Sequence, residues 1–147
     1  MLLLLTICLW LAFRQLSALV LSLATLLFAG LGLCLIMSLA DWSWNLLNLM
    51  ALPLLLGSGI DYSIHMQLAL RRHGGHISSV RRGIGRALLL CGGTTTAAFG
   101  SLAWSSNAGM ASLGRTCAAG LLCVMLTAVY LLPAWWKVAT PDKIRIS

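Results

Sequence analysis

The chain has 147 residues, of which 60% are hydrophobic and only 9% charged, and its mean hydropathy is +0.94. Too little polar surface remains to coat a soluble globule, which excludes the soluble classes and makes a bilayer the solvent. A net charge of +7 would ordinarily raise nucleic acid as a partner, but most of the ten Lys and Arg residues sit in connectors between apolar runs, where they report topology.

Five apolar runs follow one another: residues 2–13, 16–39, 46–70, 87–106, and 108 to about 135. A hydrocarbon core of about 30 Å needs about 20 helical residues, so the last four runs are long enough to span. The first, at 12 residues, falls short and reads as the remainder of a longer helix. A secretory signal is the rival explanation, but no basic residue precedes its apolar core and no clear small-x-small cleavage site follows it. The expected fold is all-α: a polytopic membrane bundle of about five helices, the first short or truncated, forming one transmembrane domain over residues 1–147.

Orientation follows from the basic residues. Arg14, the five arginines between the third and fourth runs (Arg71, Arg72, Arg81, Arg82, Arg86), and Lys137, Lys143 and Arg145 after the fifth all fall on one side. The opposite connectors, residues 41–45 and the turn around Asn107, carry no Lys or Arg, so the C-terminus is expected in the cytoplasm. Trp42, Trp44 and Trp104 near one face, with Trp135 and Trp136 near the other, fit interfacial aromatic belts. In the polar stretch 73–86, Ile77, Val80 and Ile84 recur at i, i+3 and i+7, predicting a short amphipathic helix on the cytoplasmic surface with its arginines toward lipid headgroups.

The third run carries the functional signal. Asp61 lies near its middle, where a charged group costs a few kcal/mol or more, so such residues usually face a bundle interior and handle ions or protons. Desolvation favours the protonated carboxyl, which can then bind and release a proton as water access changes. Gly57 and Gly59, flanking Ser58, permit close helix approach or entry of water, and Pro53 loosens the hydrogen-bond ladder. His65, four residues on, shares the Asp61 face and offers a next station for a proton, while Tyr62 points about 100° away toward a neighbouring helix. In the fourth run Thr94, Thr95 and Thr96 cover nearly a whole turn, so at least one hydroxyl can face the third run; the alternative is bonding back to their own helix carbonyls.

Other chemistries fit less well. An intramembrane aspartyl protease needs two acids sharing a proton, and this chain offers one within the membrane. Ser58 and His65 stand seven residues apart on one helix, about 10 Å, beyond the reach of a nucleophile and its base. Asp61 and His65 supply two ligands where a metal site usually needs three or four, so no metal or other cofactor is expected. Cysteines 8, 34, 91, 117 and 123 fall in apolar runs without a C-x-x-C pattern and read as small buried hydrophobes. Arg115, about a turn and a half inside the fifth run, can snorkel outward or pair with Asp41. Gly109, Gly114 and Gly120 suggest close helix contacts in that run.

The segments NLLNLMALPLLLGSGIDYSIHM, GRALLLCGGTTTAAFGSLAWS, GMASLG and LLPAWW, in that order, resemble the resistance-nodulation-division superfamily, and more narrowly its MMPL-type lipid exporters and hopanoid-associated transporters. The resemblance implies the second to sixth helices of one transporter half, and proton-driven export of lipids or other hydrophobic molecules. By motif position, Asp61 and Tyr62 match the Asp-Tyr pair of the proton relay. The first helix, the periplasmic porter domain and the second half of such a transporter have no counterpart here, so the chain resembles a fragment, a split subunit or a truncated remnant. Relays of this kind pair groups across two halves, so the other half, a porter domain or a second copy is the expected protein partner, alongside membrane lipids and a hydrophobic substrate in a bacterial inner membrane. The retained alternative is a lipid-sensing or scaffolding module like a sterol-sensing domain, which shares the helix arrangement.

Overall fold

A computed structural model describes residues 16–43, 45–74 and 76–139. The short run at 2–13, Arg14, Trp44, Lys143 and Arg145 lie outside the described residues. Among those described there is no strand, and three helices are long and apolar enough to cross a membrane: Val20–Leu39, Leu46–Arg72 and Ala108–Trp136.

Helix α1 spans Leu16–Leu39. It ends in a Schellman turn: the amide of Asp41 donates to Ser38 O (3.4 Å) and that of Trp42 to Met37 O (3.0 Å). Asp41 takes the left-handed position at φ 50°, where glycine is usual, and the Trp42 ring packs on the cluster that holds Met37, which supplies the apolar contact of this motif. Helix α2 spans Leu46–Arg72; the Asn45 side chain accepts from the Asn48 amide at its start, and Arg71 and Arg72 complement the dipole at its end.

Helix α3, Ile77–Val80, does not stand apart from the span that follows. It passes through a π-helical turn, Arg81–Gly85, into α4, Arg86–Leu102, with Arg81 and Arg86 both right-handed helical at the junctions. The separate surface helix expected from the sequence is thus the first part of a continuous helix. Ile77 and Val80 do face the bundle, but Ile84 is 39% exposed and Gly85 is buried instead. A π turn closes i→i+5 bonds, and the extra residue moves the buried position from 84 to 85. At 17 residues, α4 is at the lower limit for a span and is lengthened by those preceding turns. Helix α5, Ala108–Leu126, is capped by the Asn107 side chain, which accepts from the Gly109 and Met110 amides; it continues through a second π turn, Thr127–Leu131, into α6, Leu132–Ala139.

Helix α5 is the hub, packing against α1, α2 and α4. Its glycines make this possible. A Cβ on Gly114 would stand 2.7 Å from Phe99 O and 2.9 Å from Ala103 N, so the α4 and α5 backbones are in direct contact there. Gly120 receives the Leu55 side chain and Gly109 that of Leu47, both from α2, as the small-residue rule for membrane helices requires. At the end that carries Asn45, Asn45 Nδ2 donates to Ser112 Oγ (3.1 Å) and Ser112 Oγ donates to Asn48 Oδ1 (2.8 Å), tying α2 to α5.

The core also holds polar groups that the sequence reading passed over. Ser22, Thr25, Ser63, Gln67 and Thr116 are at most 1% exposed. Gln67 Nε2 donates to Ser22 Oγ at 2.8 Å, joining α2 to α1. Replacing Ser22 with Ala removes that acceptor from an apolar interior, and interhelical hydrogen bonds in membranes are worth about 0.6 kcal/mol, up to about 1.7. Ser22→Ala is expected to destabilise the bundle by about 1 kcal/mol, read as a lowered midpoint of thermal unfolding in detergent.

Candidate functional site

The candidate site is built on the middle of α2. At about 1.5 Å per residue, Asp61 lies about 22 Å along the axis from Leu46 and about 16 Å from Arg72, deep within the span. Two polar stripes run along this helix. Ser63 and Gln67, four apart, form the buried one. Asp61 is two residues from Ser63, about 200° around the axis, so Asp61 and His65 are turned to the opposite side. Both are exposed on the surface of the described helices, which corrects, for those helices, the expectation that Asp61 points into a bundle interior. The interior side was taken by the uncharged stripe, whose groups cost less to bury than a carboxylate.

Gly57, Asp61 and His65 recur every four residues and share this outer face, flanked by Leu54 (39% exposed) and Leu68 (38%). A Cβ at Gly57 would meet nothing within 4 Å, so Gly57 leaves open space beside the carboxylate. Gly59 behaves oppositely: it is buried, with a would-be Cβ 2.7 Å from Leu26 Cδ1, and serves the α1 contact. Ser58 between them is half-buried. Among the described residues the Asp61 carboxylate and the His65 ring make no hydrogen bond or ion pair, so the expected link between them is not formed.

Tyr62 turns inward as expected, at 9% exposure. Its hydroxyl oxygen lies 3.3 Å from where a Cβ of Gly92 would be, a position crowded on its other side by Met125 Sδ. The phenol thus fills the notch that Gly92 leaves between α4 and α5, one residue from the acid. The threonine triplet lies just beyond this notch and does not reach Asp61. Thr94 and Thr95 both donate to Cys91 O, at 2.8 and 2.9 Å, so these two bond back to their own helix. Thr96 is half-buried and its hydroxyl has no partner among the described residues.

Elsewhere the structure sorts the remaining candidates. Arg115 and Asp41 line one cavity of about 220 Å³ with Trp42, Ser43 and Ser112, at the end opposite the arginine-rich connector. Cys34 and Cys91 are exposed on the bundle surface, against the expectation that all cysteines are buried, whereas Cys117 is buried and Cys123 half-buried. No cluster of three or more metal-ligating side chains occurs among the described residues. What sequence reasoning missed, the Ser63 and Gln67 stripe, carried a signal of its own: two polar side chains four apart in an apolar run, as conspicuous in spacing as Asp61 and His65.

The MMPL family profile matches residues 1–143. The hopanoid transporter HpnN of Rhodopseudomonas palustris (strain TIE-1) is 38% identical over 129 residues, covering 88% of this chain and 15% of the relative. The hopanoid transporter HpnN of Burkholderia multivorans (strain ATCC 17616 / 249) is 33% identical over 131 residues, covering 87% of this chain and 14% of the relative. The chain therefore spans about one-seventh of the length of these relatives. No solved structure matches it significantly. A multi-pass helical membrane protein matched over nearly its whole sequence by this profile, the chain belongs to the MMPL family of the resistance-nodulation-division superfamily.

Proposed function

We propose that this chain is the membrane domain of one half of a proton-motive-force-driven exporter of lipids or other hydrophobic molecules, hopanoids among them, and that Asp61 carries the proton. The observation that supports this reading is the position of Asp61: about halfway along a spanning helix, on a face that the described helices leave uncovered. Ionised carboxylates in membranes almost always face protein or water rather than acyl chains. The Asp61, His65 and Gly57 face is therefore covered in the working assembly by another protein element, the other transporter half or a second copy, with water admitted beside Gly57. Protonation makes the carboxyl compatible with an apolar surface and ionisation does not, so proton binding alters which surface this face can meet. His65, one turn away, relays the proton, and Tyr62 ties the state of Asp61 to the α4–α5 packing through the Gly92 notch. This half sits in a bacterial inner membrane, and the basic connectors on one side support a cytoplasmic C-terminus.

The test is carbodiimide labelling, which modifies protonated carboxyls in apolar surroundings, read by mass spectrometry of the α2 peptide. An adduct on Asp61 that diminishes as buffer pH rises, and is missing in Asp61→Asn, is the expected result. Failure of Asp61 to react at any pH, with other carboxyls reacting, contradicts a protonatable relay group.

A further inference from the structure

At the end of the bundle away from Asp41, the two π turns meet. A Cβ on Gly85, in the first, would stand 3.6 Å from Val129 Cγ1 in the second. Beside this contact lies a cavity of about 470 Å³, lined among others by Ser78, Arg81, Arg82, Leu89, Val129 and Tyr130. We propose that it binds the phosphate headgroup of an anionic phospholipid, and that the lipid's tail runs along α5.

The argument rests on how charge and apolar surface are divided within the cavity. Arg81 and Arg82 are exposed cations with no acidic residue among the lining side chains, and guanidinium groups match phosphate oxygens in bidentate geometry. Arg81 is held in place: its Cζ lies 4.8 Å from the centroid of the Tyr130 ring, a cation–π contact that orients the fork before a ligand arrives. Ser78, three residues earlier on the same helix, adds a hydroxyl at the spacing of a shared face. The lining also includes hydrocarbon, Ile77, Leu89 and Val129, which a free inorganic anion has no use for.

From Tyr130 an apolar stripe leads toward the centre of the span. Leu126 is 48% exposed and Leu122 41% exposed, at steps of four on the same helix, so an acyl chain seated by its headgroup at Arg81 meets them in turn. Helix π turns, which are rare, cluster at functional positions, and here two of them shape one cavity. The register shift at Arg81–Gly85 turns Ile84 outward and brings Gly85 inward, placing the arginines on the cavity side.

Native mass spectrometry of the full chain, extracted from membranes in mild detergent and supplied with phosphatidylglycerol or phosphatidylcholine, tests the proposal. Phosphatidylglycerol is expected to be retained and phosphatidylcholine to be lost. The double change Arg81→Gln and Arg82→Gln is expected to cut phosphatidylglycerol retention about tenfold or more, since both guanidinium contacts to the phosphate are lost. Arg81→Lys, which keeps the charge but not the fork, is expected to retain an intermediate amount, and Arg72→Gln, outside the cavity, to retain the wild-type amount. Helical circular dichroism identical to wild type certifies each variant as folded. Retention unchanged in the double variant overturns the site; an equal loss in Arg72→Gln reduces it to nonspecific charge and overturns it too. Displacement of the lipid by inorganic phosphate alone shows a free-anion site and overturns the lipid assignment.

Discussion

Asp61→Asn is expected to abolish proton-coupled export by the assembled transporter, lowering the rate by about 100-fold or more, the scale on which positioned proton-transfer groups contribute. Asn is close to isosteric with the protonated acid, so assembly and helix packing are preserved and only the exchange of the proton is lost. Asp61 is exposed on the described bundle and makes no hydrogen bond among the described residues, so the change breaks no hydrogen bond among them. Substrate efflux and proton flux measured together in membrane vesicles provide the readout, and both are expected to fail. A lipid-sensing module of the sterol-sensing type would keep its ligand response in Asp61→Asn; such a result, with intact efflux, rules out the carboxylate as the carrier. One charge moved through 100 mV is worth about 2.3 kcal/mol, enough for a single acid to couple usefully to a membrane potential.

The largest expected structural effect comes from Gly114. The atoms that a Cβ would meet are Leu102 Cβ and Phe99 O at 2.7 Å and Ala103 N at 2.9 Å, two of them backbone. A flexible side chain can swing away, but a helix backbone moves only with its whole helix. Gly114→Ala is therefore expected to push α4 from α5 and to cost about 3 kcal/mol, the upper end of ordinary overpacking penalties. Gly57→Ala is the matched control: it meets nothing within 4 Å and gains about 1 kcal/mol of intrinsic helix preference. Thermal unfolding in detergent should separate the two by a clear drop for Gly114→Ala and none for Gly57→Ala. Equal stability of both variants would mean that the α4–α5 contact is not as close as described.

Much of the fold was legible in the sequence because membranes impose strict rules on length and charge. Runs 16–39 and 46–70 anticipate α1 and α2 to within two residues, since Asn45 caps α2 and the arginines at 71 and 72 close it. The turn after α4 was placed correctly by Asn107, whose side chain caps α5. The π turns were not legible, because nothing in RRGIG or TAVYL distinguishes i→i+5 from i→i+4 bonding. That ambiguity split the continuous α3–α4 helix into a surface helix and a span. At the site, the spacing of Asp61 and His65 correctly put them on one face, and Tyr62 on another. Which face turns inward depended on the competition with Ser63 and Gln67, and spacing alone is silent on that competition. The threonines illustrate the same limit: three hydroxyls in one turn allow one to face α2, yet Thr94 and Thr95 bond back to Cys91 O.

One carboxyl, set midway along α2, is expected to gain and lose a proton while the protein remains folded in the membrane. Infrared difference spectroscopy of the reconstituted transporter, stepped between acidic and alkaline buffer, reads this directly. The expected result is a carbonyl band of a protonated carboxylic acid that appears on the acidic side, disappears on the alkaline side, and is missing in Asp61→Asn. A spectrum in which wild type and Asp61→Asn are identical throughout, with no such band, would contradict it.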